Sequence, residues 1–385
     1  MLVLFLLVNV VFLLGKADRT IDLITQNGYP GQSFEAITED GYILKLHRIP
    51  FAKNNQSIEK PIIFLQHGIL SSSSIFVVTP ESPAFVFADN GFDVWLGNAR
   101  GNEYSSTHTT LSNSSQLFWT FSWDEMAKFD IDAMINRALE VSGAKSLNYL
   151  GHNEGSLVML AKLATDMAIN SKIDKFFALA PIGTLANAKG GLPYMTNLLY
   201  KEQALSKSIL GTKAFIPSEW LISTISHTIC QKPADPSICK NMLFLLSGTF
   251  NPQLNISLIP IYTSTTPSTT STQNMIHYMQ MVQNGKLQMF DYRNNTLNQQ
   301  KYDSPTPPSY DLSKITKVPI YLYFSEFDFL ADKEDVQMEI INYLDYQIIK
   351  HNEEFRGYGD LDFIWGTDVI KQIYLPIVEI IKSEM

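Results

Sequence analysis

Six short runs of apolar, β-branched and aromatic residues return along the chain, with room for a helix between most of them. They are "PIIFLQ" from Pro61, "FDVWL" from Phe92, "LNYL" from Leu147, "KFFALA" from Lys175, "VPIYLYF" from Val318 and "YQIIK" from Tyr346. A strand that is apolar throughout has no polar face to turn to water, so it must be covered on both sides. Helices alternating with such strands supply that cover and point to a mostly parallel sheet. At 385 residues, 45% of them hydrophobic, the chain can bury a large core and carry an insertion as well.

One helix is marked at both ends. Ser122-Trp123-Asp124-Glu125 has capping-box spacing, and Gly143 follows the last periodic positions. Met126, Phe129, Ile131, Met134, Ile135, Ala138 and Leu139 fall mostly on one of its faces. From about 183 to 308 the strand-like runs thin out, and prolines, amides and aromatics scatter. Within this stretch "TSTTPSTTST", Thr263 to Thr272, is of low complexity; a solvated loop open to O-glycosylation is expected there. After "SPTPPSYDLSKI" the strand–helix alternation resumes. The expected organisation is a leader over residues 1–17, a core built from 18–182 and 309–385, and an insertion over 183–308.

The formal net charge is −9 and no basic run occurs, so nucleic acid is not an expected partner. The chain opens on "MLVLFLLVNVVFLLGKADRT", an apolar run of about 14 residues where a bilayer span needs ~20. The run fits a signal peptide ending near Gly15-Lys16-Ala17, with an uncleaved membrane anchor as the alternative. Sequons at Asn55, Asn113, Asn255 and Asn294 agree with secretion and glycosylation. The only cysteines are Cys230 and Cys239. In an oxidising compartment they most simply close one disulfide, two buried free thiols being the alternative. A metal site would need more ligands than these two, and neither metal nor cofactor is expected.

"YLGHNEGSLVML", Tyr149 to Leu160, reads as a strand, a tight turn and a helix, with Gly151 and Gly155 flanking Asn153. In serine hydrolases such a turn presents the nucleophile. Small residues two before and two after it let the backbone bend sharply, and the next amide faces the developing oxyanion. The required context is present and the reactive hydroxyl is not.

Six stretches carry a resemblance: "NGYPGQSFEAITEDGYILKLHRIP", "IIFLQHGILSSS", "FDVWLGNARGNEYSSTH", "FWTFSWDEMAKFDIDAMI", "PTPPSYDLSKITKVPIYLYFSEFDFLADKEDV" and "GDLDFIWGTDV". Over nearly the whole mature chain it resembles the acid lipases: gastric, lingual and lysosomal acid lipase and their insect relatives. The resemblance implies an α/β-hydrolase fold, with a mostly parallel eight-stranded sheet. It also implies a cap with its lid over residues 183–308, tied by Cys230 and Cys239. The family turn G-H-S-x-G puts Asn153 at the serine position. The family acid, in a motif ending D-x-L-A-D, falls on Asp328 of "FDFLAD". The family histidine of N-H-L-D-F-I-W is replaced by Asp360 in "GDLDFIW". The oxyanion donors would be the backbone amides of Ile69 and Glu154. Glu154 stands where the family usually has glutamine, so Glu154, Asp328 and Asp360 are expected to crowd one pocket.

The two replacements remove the chemistry. An amide is a poor nucleophile, and an aspartate does not shuttle protons near neutrality as an imidazole does. Triad members act as a unit, and loss of one can cost about 10⁶ in kcat in a serine protease. Neighbouring candidates do not replace them. Ser156 reads as a packing residue, His351 as an edge residue, and His152 as pointing away from the nucleophile position. His67 is expected to order its loop, Arg100 to sit in an ion pair, and His277 to pack within the insertion. Family substrates are triacylglycerols and cholesteryl esters. The expectation is therefore a secreted (alternatively lysosomal) lipase homologue that has lost hydrolysis. It would keep a large apolar cavity beside Asn153 for a lipid or fatty-acyl ligand and touch lipid surfaces through its cap. Two other readings stand beside it: an ester hydrolase of atypical mechanism, and a secreted storage or structural glycoprotein.

Overall fold

The computed structural model describes residues 18–53, 60–201, 208–230, 236–248 and 253–384. The leader and Asn55 lie outside the described residues. Nine strands form one sheet: β1 (Gln32–Ile37), β2 (Tyr42–Ile49), β3 (Ile62–Gln66), β4 (Asp93–Leu96), β5 (Thr107–His108), β6 (Leu147–His152), β7 (Ile173–Leu179), β8 (Ile320–Ser325) and β9 (Ile349–Phe355). The order is β1-β2-β4-β3-β6-β7-β8-β9, with the two-residue β5 pairing beside β2. Every pairing from β4 through β9 is parallel, while β1, β2 and β5 pair antiparallel. This is the α/β-hydrolase architecture, with eight strands on the main path.

The continuous apolar runs became the central strands. β3, β4, β6 and β8 are buried at every residue, covered by helices on both faces. The last run is placed differently from its expected position. Tyr346 is 80% exposed and lies outside the sheet, and β9 starts at Ile349 and runs on through the polar "HNEEF". As the edge strand beyond β8 it keeps one side wet, so polar residues are tolerated there and the apolar pattern misplaced its start. The β1–β2 hairpin was not legible as a continuous run. Its turn needs Gly41 at φ 96°, where an added Cβ would lie 2.7 Å from the His108 ring.

The capping box forms as expected. The Glu125 carboxylate accepts from the Ser122 amide at 2.7 Å, and the Ser122 hydroxyl accepts from the Asp124 amide. The helix is nevertheless interrupted by a wider turn at Met126–Asp130 before it continues as α1 (Ile131–Ser142), which Gly143 ends at φ 68°. Helix α2 (Glu154–Thr165), between β6 and β7, is buried from Glu154 to Ala164. Between β7 and β8 the chain leaves the sheet and builds a helical layer that includes α3 (Gly191–Leu199), α4 (Glu219–Ile229), α5 (Met242–Ser247) and α6 (Thr272–Asn284). Cys230 and Cys239 are disulfide-bonded within it. The serine/threonine tract is not a solvated loop. Thr265, Thr266, Ser268, Thr270 and Ser271 are buried. The Ser268 amide donates to Leu70 O, Thr269 donates to Gly101 O, and Ser271 donates to Phe121 O. Short hydroxyl side chains satisfied by backbone carbonyls can be buried, and here they lash the inserted layer to the core loops.

Candidate functional site

β6 ends at His152 and α2 begins at Glu154, so Asn153 alone makes the turn. Its φ of 53° and ψ of −113° are a strained setting for a residue with a side chain. The neighbouring glycines permit it. A Cβ on Gly151 would lie 2.5 Å from the carbonyl group of Gly155, and one on Gly155 would lie 2.4 Å from Gln66 O. The Asn153 amide is pinned to Leu179 O at 2.9 Å. Asp328 follows β8 and Asp360 follows β9, so three chain segments converge beyond the carboxyl ends of parallel strands.

Both ends of the Asn153 side chain are engaged. Its Nδ2 donates to Asp360 Oδ1 at 2.9 Å, and its Oδ1 accepts from the Glu154 amide at 2.8 Å. Asp328 Oδ1 accepts from the Leu330 and Ala331 amides at 2.8 and 2.9 Å. Its Oδ2 is buried with no hydrogen-bond partner among the described residues. Burial, reinforced by the charge of Asp360, holds the Asp328 carboxyl well above the usual carboxylate range. The carboxylate crowding expected from the sequence occurs with a different third member. Asp362, which begins the short helix α7 (Asp362–Trp365), is pushed up to about 7 by burial, with Asp360 adding to the shift. Glu154 instead turns toward α6, where Asn274 Nδ2 donates to it at 2.7 Å. Burial raises it to about 7 there, against the bonds from Asn274 and Tyr278. The inserted layer offers Glu154 an amide and a phenol, which no pattern local to the turn could announce.

His152 departs from expectation. Its ring does not point away: Nε2 donates to Asp360 O at 3.1 Å and lies 3.3 Å from Asp360 Oδ1. Asp362 was the residue missed, and His152 was weighed but turned the wrong way, because "GDLDFIW" and "GHNEG" do not say which way their side chains face. The other candidates are structural. The Ser156 hydroxyl donates to Gly151 O at 2.6 Å and sits 3.3 Å from Leu179 O. His351 lies on β9, paired with Glu353 at 2.9 Å. His67 accepts from the Ala99 amide at 3.1 Å, and burial holds its ring down at about 4. Arg100 is fully enclosed between Asp40 and Asp130. His277 stacks on Trp123 with centroids 4.3 Å apart. The Ile69 amide makes no hydrogen bond among the described residues. Asn113, Asn255 and Asn294 are exposed.

The large apolar cavity expected beside Asn153 is not found among the described residues. The space against Asn153 and Asp360, walled by Gly68, Ile69, Ile75, Leu243 and Trp365, measures about 10 Å³, room for one water. Leu243 comes down from α5, and Trp365 is fixed by stacking on Tyr262 at 4.3 Å and by its bond to Ile75 O at 3.1 Å. The inserted layer thus helps to close the space against Asn153 through Leu243.

Comparison with known proteins bears on the chemistry. Residues 20–80 match the partial alpha/beta-hydrolase lipase region, and residues 61–213 match the alpha/beta hydrolase fold. Lipase lipl-1 of Caenorhabditis elegans is 41% identical over 373 residues, covering 95% of this chain and 92% of that protein. Gastric triacylglycerol lipase of Homo sapiens is 36% identical over 377 residues, covering 96% and 93%. Among solved structures, a soluble variant of monoglyceride lipase from Saccharomyces cerevisiae superposes with a TM-score of 0.51 at 14% identity, covering 93% of this chain and 99% of that one.

Proposed function

The chain belongs to the acid-lipase family of α/β-hydrolases, and on that premise we propose that it is a hydrolytically silent member of the family. Asn153, Asp328 and Asp360 occupy the nucleophile, acid and histidine positions in this reading. The observation that carries it is the closed pairing of Asn153. Its nitrogen is bound to Asp360, and its oxygen takes the Glu154 amide, one of the two donors we assign to the oxyanion hole with Ile69. The nucleophile position offers an amide in place of a hydroxyl, the histidine position a carboxyl in place of an imidazole, and one donor of the hole is taken by the Asn153 side chain itself. The partner-less Asp328 Oδ2 supports the assignment, because it is an acceptor without the ring N–H that an imidazole would bring. The test is hydrolysis of a short-chain p-nitrophenyl ester from about pH 4 to about pH 8, a range spanning the titration of any carboxylate or imidazole base. The expected result is no turnover above a heat-killed control. Turnover abolished by Ser156→Ala or His351→Ala overturns the reading.

We further propose that the chain is secreted and glycosylated, a reading supported by its apolar opening run, the exposed sequons at Asn113, Asn255 and Asn294, and the disulfide. What a silent lipase homologue does next depends on its cap. Ile216 and Trp220 stand 71% and 54% exposed at the start of the α4 region, an apolar surface suited to lipid contact. An acyl chain enters only if α5 withdraws Leu243. The closed cavity favours a second reading, a storage or structural glycoprotein that keeps only the fold. Organic extraction of the purified chain, followed by lipid mass spectrometry and fluorescent fatty-acid titration with and without vesicles, separates the two. Saturable binding supports the lipid reading, and its absence in every condition supports the other.

A further inference from the structure

The turn that lacks a nucleophile is arranged for a reaction of its own. Asparagine loses its amide when the backbone nitrogen of the next residue attacks Cγ and closes a five-membered ring. That ring needs Cβ and the attacking nitrogen on the same side of the Cα–C bond. At Asn153 ψ is −113°, and tetrahedral geometry at Cα then places Cβ almost eclipsed with the Glu154 nitrogen. A helix at ψ of about −42° or a strand at about +135° holds the two far apart. The side chain is already folded over this nitrogen, since the Glu154 amide donates to Asn153 Oδ1 at 2.8 Å. The backbone cannot relax out of this setting, because Gly151, Gly155 and Gln66 are in mutual contact around it.

We propose that Asn153 is a site of self-modification, its side-chain amide cyclising onto the Glu154 nitrogen within the folded chain and opening to aspartate and isoaspartate. In the first step the Glu154 N–Cγ bond forms, the Cγ–Nδ2 bond breaks, and the proton lost from the Glu154 amide is balanced by the one ammonia carries away. Nδ2, the leaving nitrogen, is held at 2.9 Å by the Asp360 carboxyl group, which fixes the amide in place. In the second step water adds to one ring carbonyl and the ring C–N bond breaks, its nitrogen regaining a proton. Addition at Cγ gives aspartate, and addition at the backbone carbonyl gives isoaspartate. The sum is amide plus water to acid plus ammonia, with no oxidant or reductant. The space at Asn153 has room for that water. Either product sets another carboxylate against Asp328 and Asp360 and brings no imidazole, so the silence toward esters stands whichever way this inference falls.

The chain carries its own comparators in Asn27-Gly28 and Asn90-Gly91. Asparagine before glycine reacts fastest in an open chain, because no side chain shields the attacking nitrogen. In the folded chain both sit with ψ near zero, 2° at Asn27 and 10° at Asn90, and each Nδ2 is tied to a helix carbonyl. The experiment incubates the full chain, folded and in urea, at mildly alkaline pH. Conversion at each asparagine is read by peptide mapping with mass spectrometry and an isoaspartate methyltransferase assay. Asn153 is expected to convert ahead of Asn27 and Asn90 in the folded chain and behind them in urea. Its own rate should fall on unfolding, on the order of tenfold or more, as orientation is lost. Asn153→Gln, which would need a larger ring, marks the background. A rate at Asn153 in the folded chain equal to or below its rate in urea overturns the proposal. So does an intact Asn153 over a period in which Asn27 in urea is half converted.

Discussion

In the proposed reading, Asn153 both replaces a nucleophile and fills the place beside it. A serine at that position would leave the Glu154 amide free for a substrate oxygen, whereas the asparagine supplies its own oxygen at 2.8 Å. Reversal is therefore a test at single-residue resolution. Asn153→Ser frees the amide but leaves a hydroxyl with no base, and Asp360→His gives Asp328 Oδ2 a donor but nothing to activate. Neither single variant should hydrolyse a short-chain ester, and the double variant should, because these groups act as a unit. Glu154→Gln is expected to add nothing to the double variant, since the Glu154 carboxyl faces Asn274 rather than the turn. A correctly folded double variant that stays inert in the same assay would show that more than the triad positions has changed. Gly151 and Gly155 announced the strained turn, and "FDFLAD" and "GDLDFIW" announced the acidic residues, from sequence alone. The pairing of Asn153 with Asp360 was not legible, because 207 residues of chain separate them and only the sheet brings their strand ends together.

At the scale of elements, the inserted layer decides what the site can hold. Leu243 on α5 is the plug. Leu243→Ala should open the space beside Asn153 and admit a fluorescent fatty acid, at about 2–5 kcal/mol of stability lost, measured by urea unfolding. If no added uptake follows at full occupancy of the fold, the plug lies elsewhere. The Cys230–Cys239 bridge closes a short loop, with a sequence separation of 9. Replacing both by serine should lower stability by no more than about 2–3 kcal/mol, read from the denaturant midpoint. The threonine-rich tract teaches the limit of composition. Thr265, Thr266 and Ser271 look like loop residues by type, yet they are buried because carbonyls accept from their hydroxyls: Tyr262 O, a turn back in the same layer, from the two threonines, and Phe121 O of the core from Ser271. The same limit explains β9, whose polar residues are allowed by its edge position and by nothing in their order.

For the whole molecule, buried ionisable groups set a pH optimum. Glu154 and Asp362 are raised to about 7, and Asp328 is raised as well. The folded chain therefore holds protons that the unfolded chain gives up, and stability is lost as pH rises from the ordinary carboxylate range through about 7. His67 and His277 act in the opposite sense. Burial lowers both from 6.5 to about 4, so the unfolded chain takes up protons the folded chain refuses, and stability is lost as pH falls below 6.5. The melting temperature should peak in mildly acid solution and decline as pH rises through about 7. Glu154→Gln should flatten that alkaline decline in a thermal melt series, and a decline of unchanged slope would remove Glu154 as a cause.

Sequence by itself determined the sheet and the turn. Apolar runs such as "PIIFLQ" and "LNYL" have no stable place except between helix layers, and Gly151 and Gly155 are required wherever the backbone approaches to 2.5 Å. It also determined which side chains stand at the turn and after the last strand, because residue type is read directly and Asn153 carries an amide and Asp360 a carboxyl. Tertiary structure decided direction and occupancy. It turned Glu154 toward α6, brought His152 to the edge of Asp360, made Asp362 the third buried acid, and lowered Leu243 into the space where a ligand would lie. Those choices depend on which distant segment supplies a hydrogen-bond partner or a packing surface, and that is fixed only when strands remote in sequence become neighbours in one sheet.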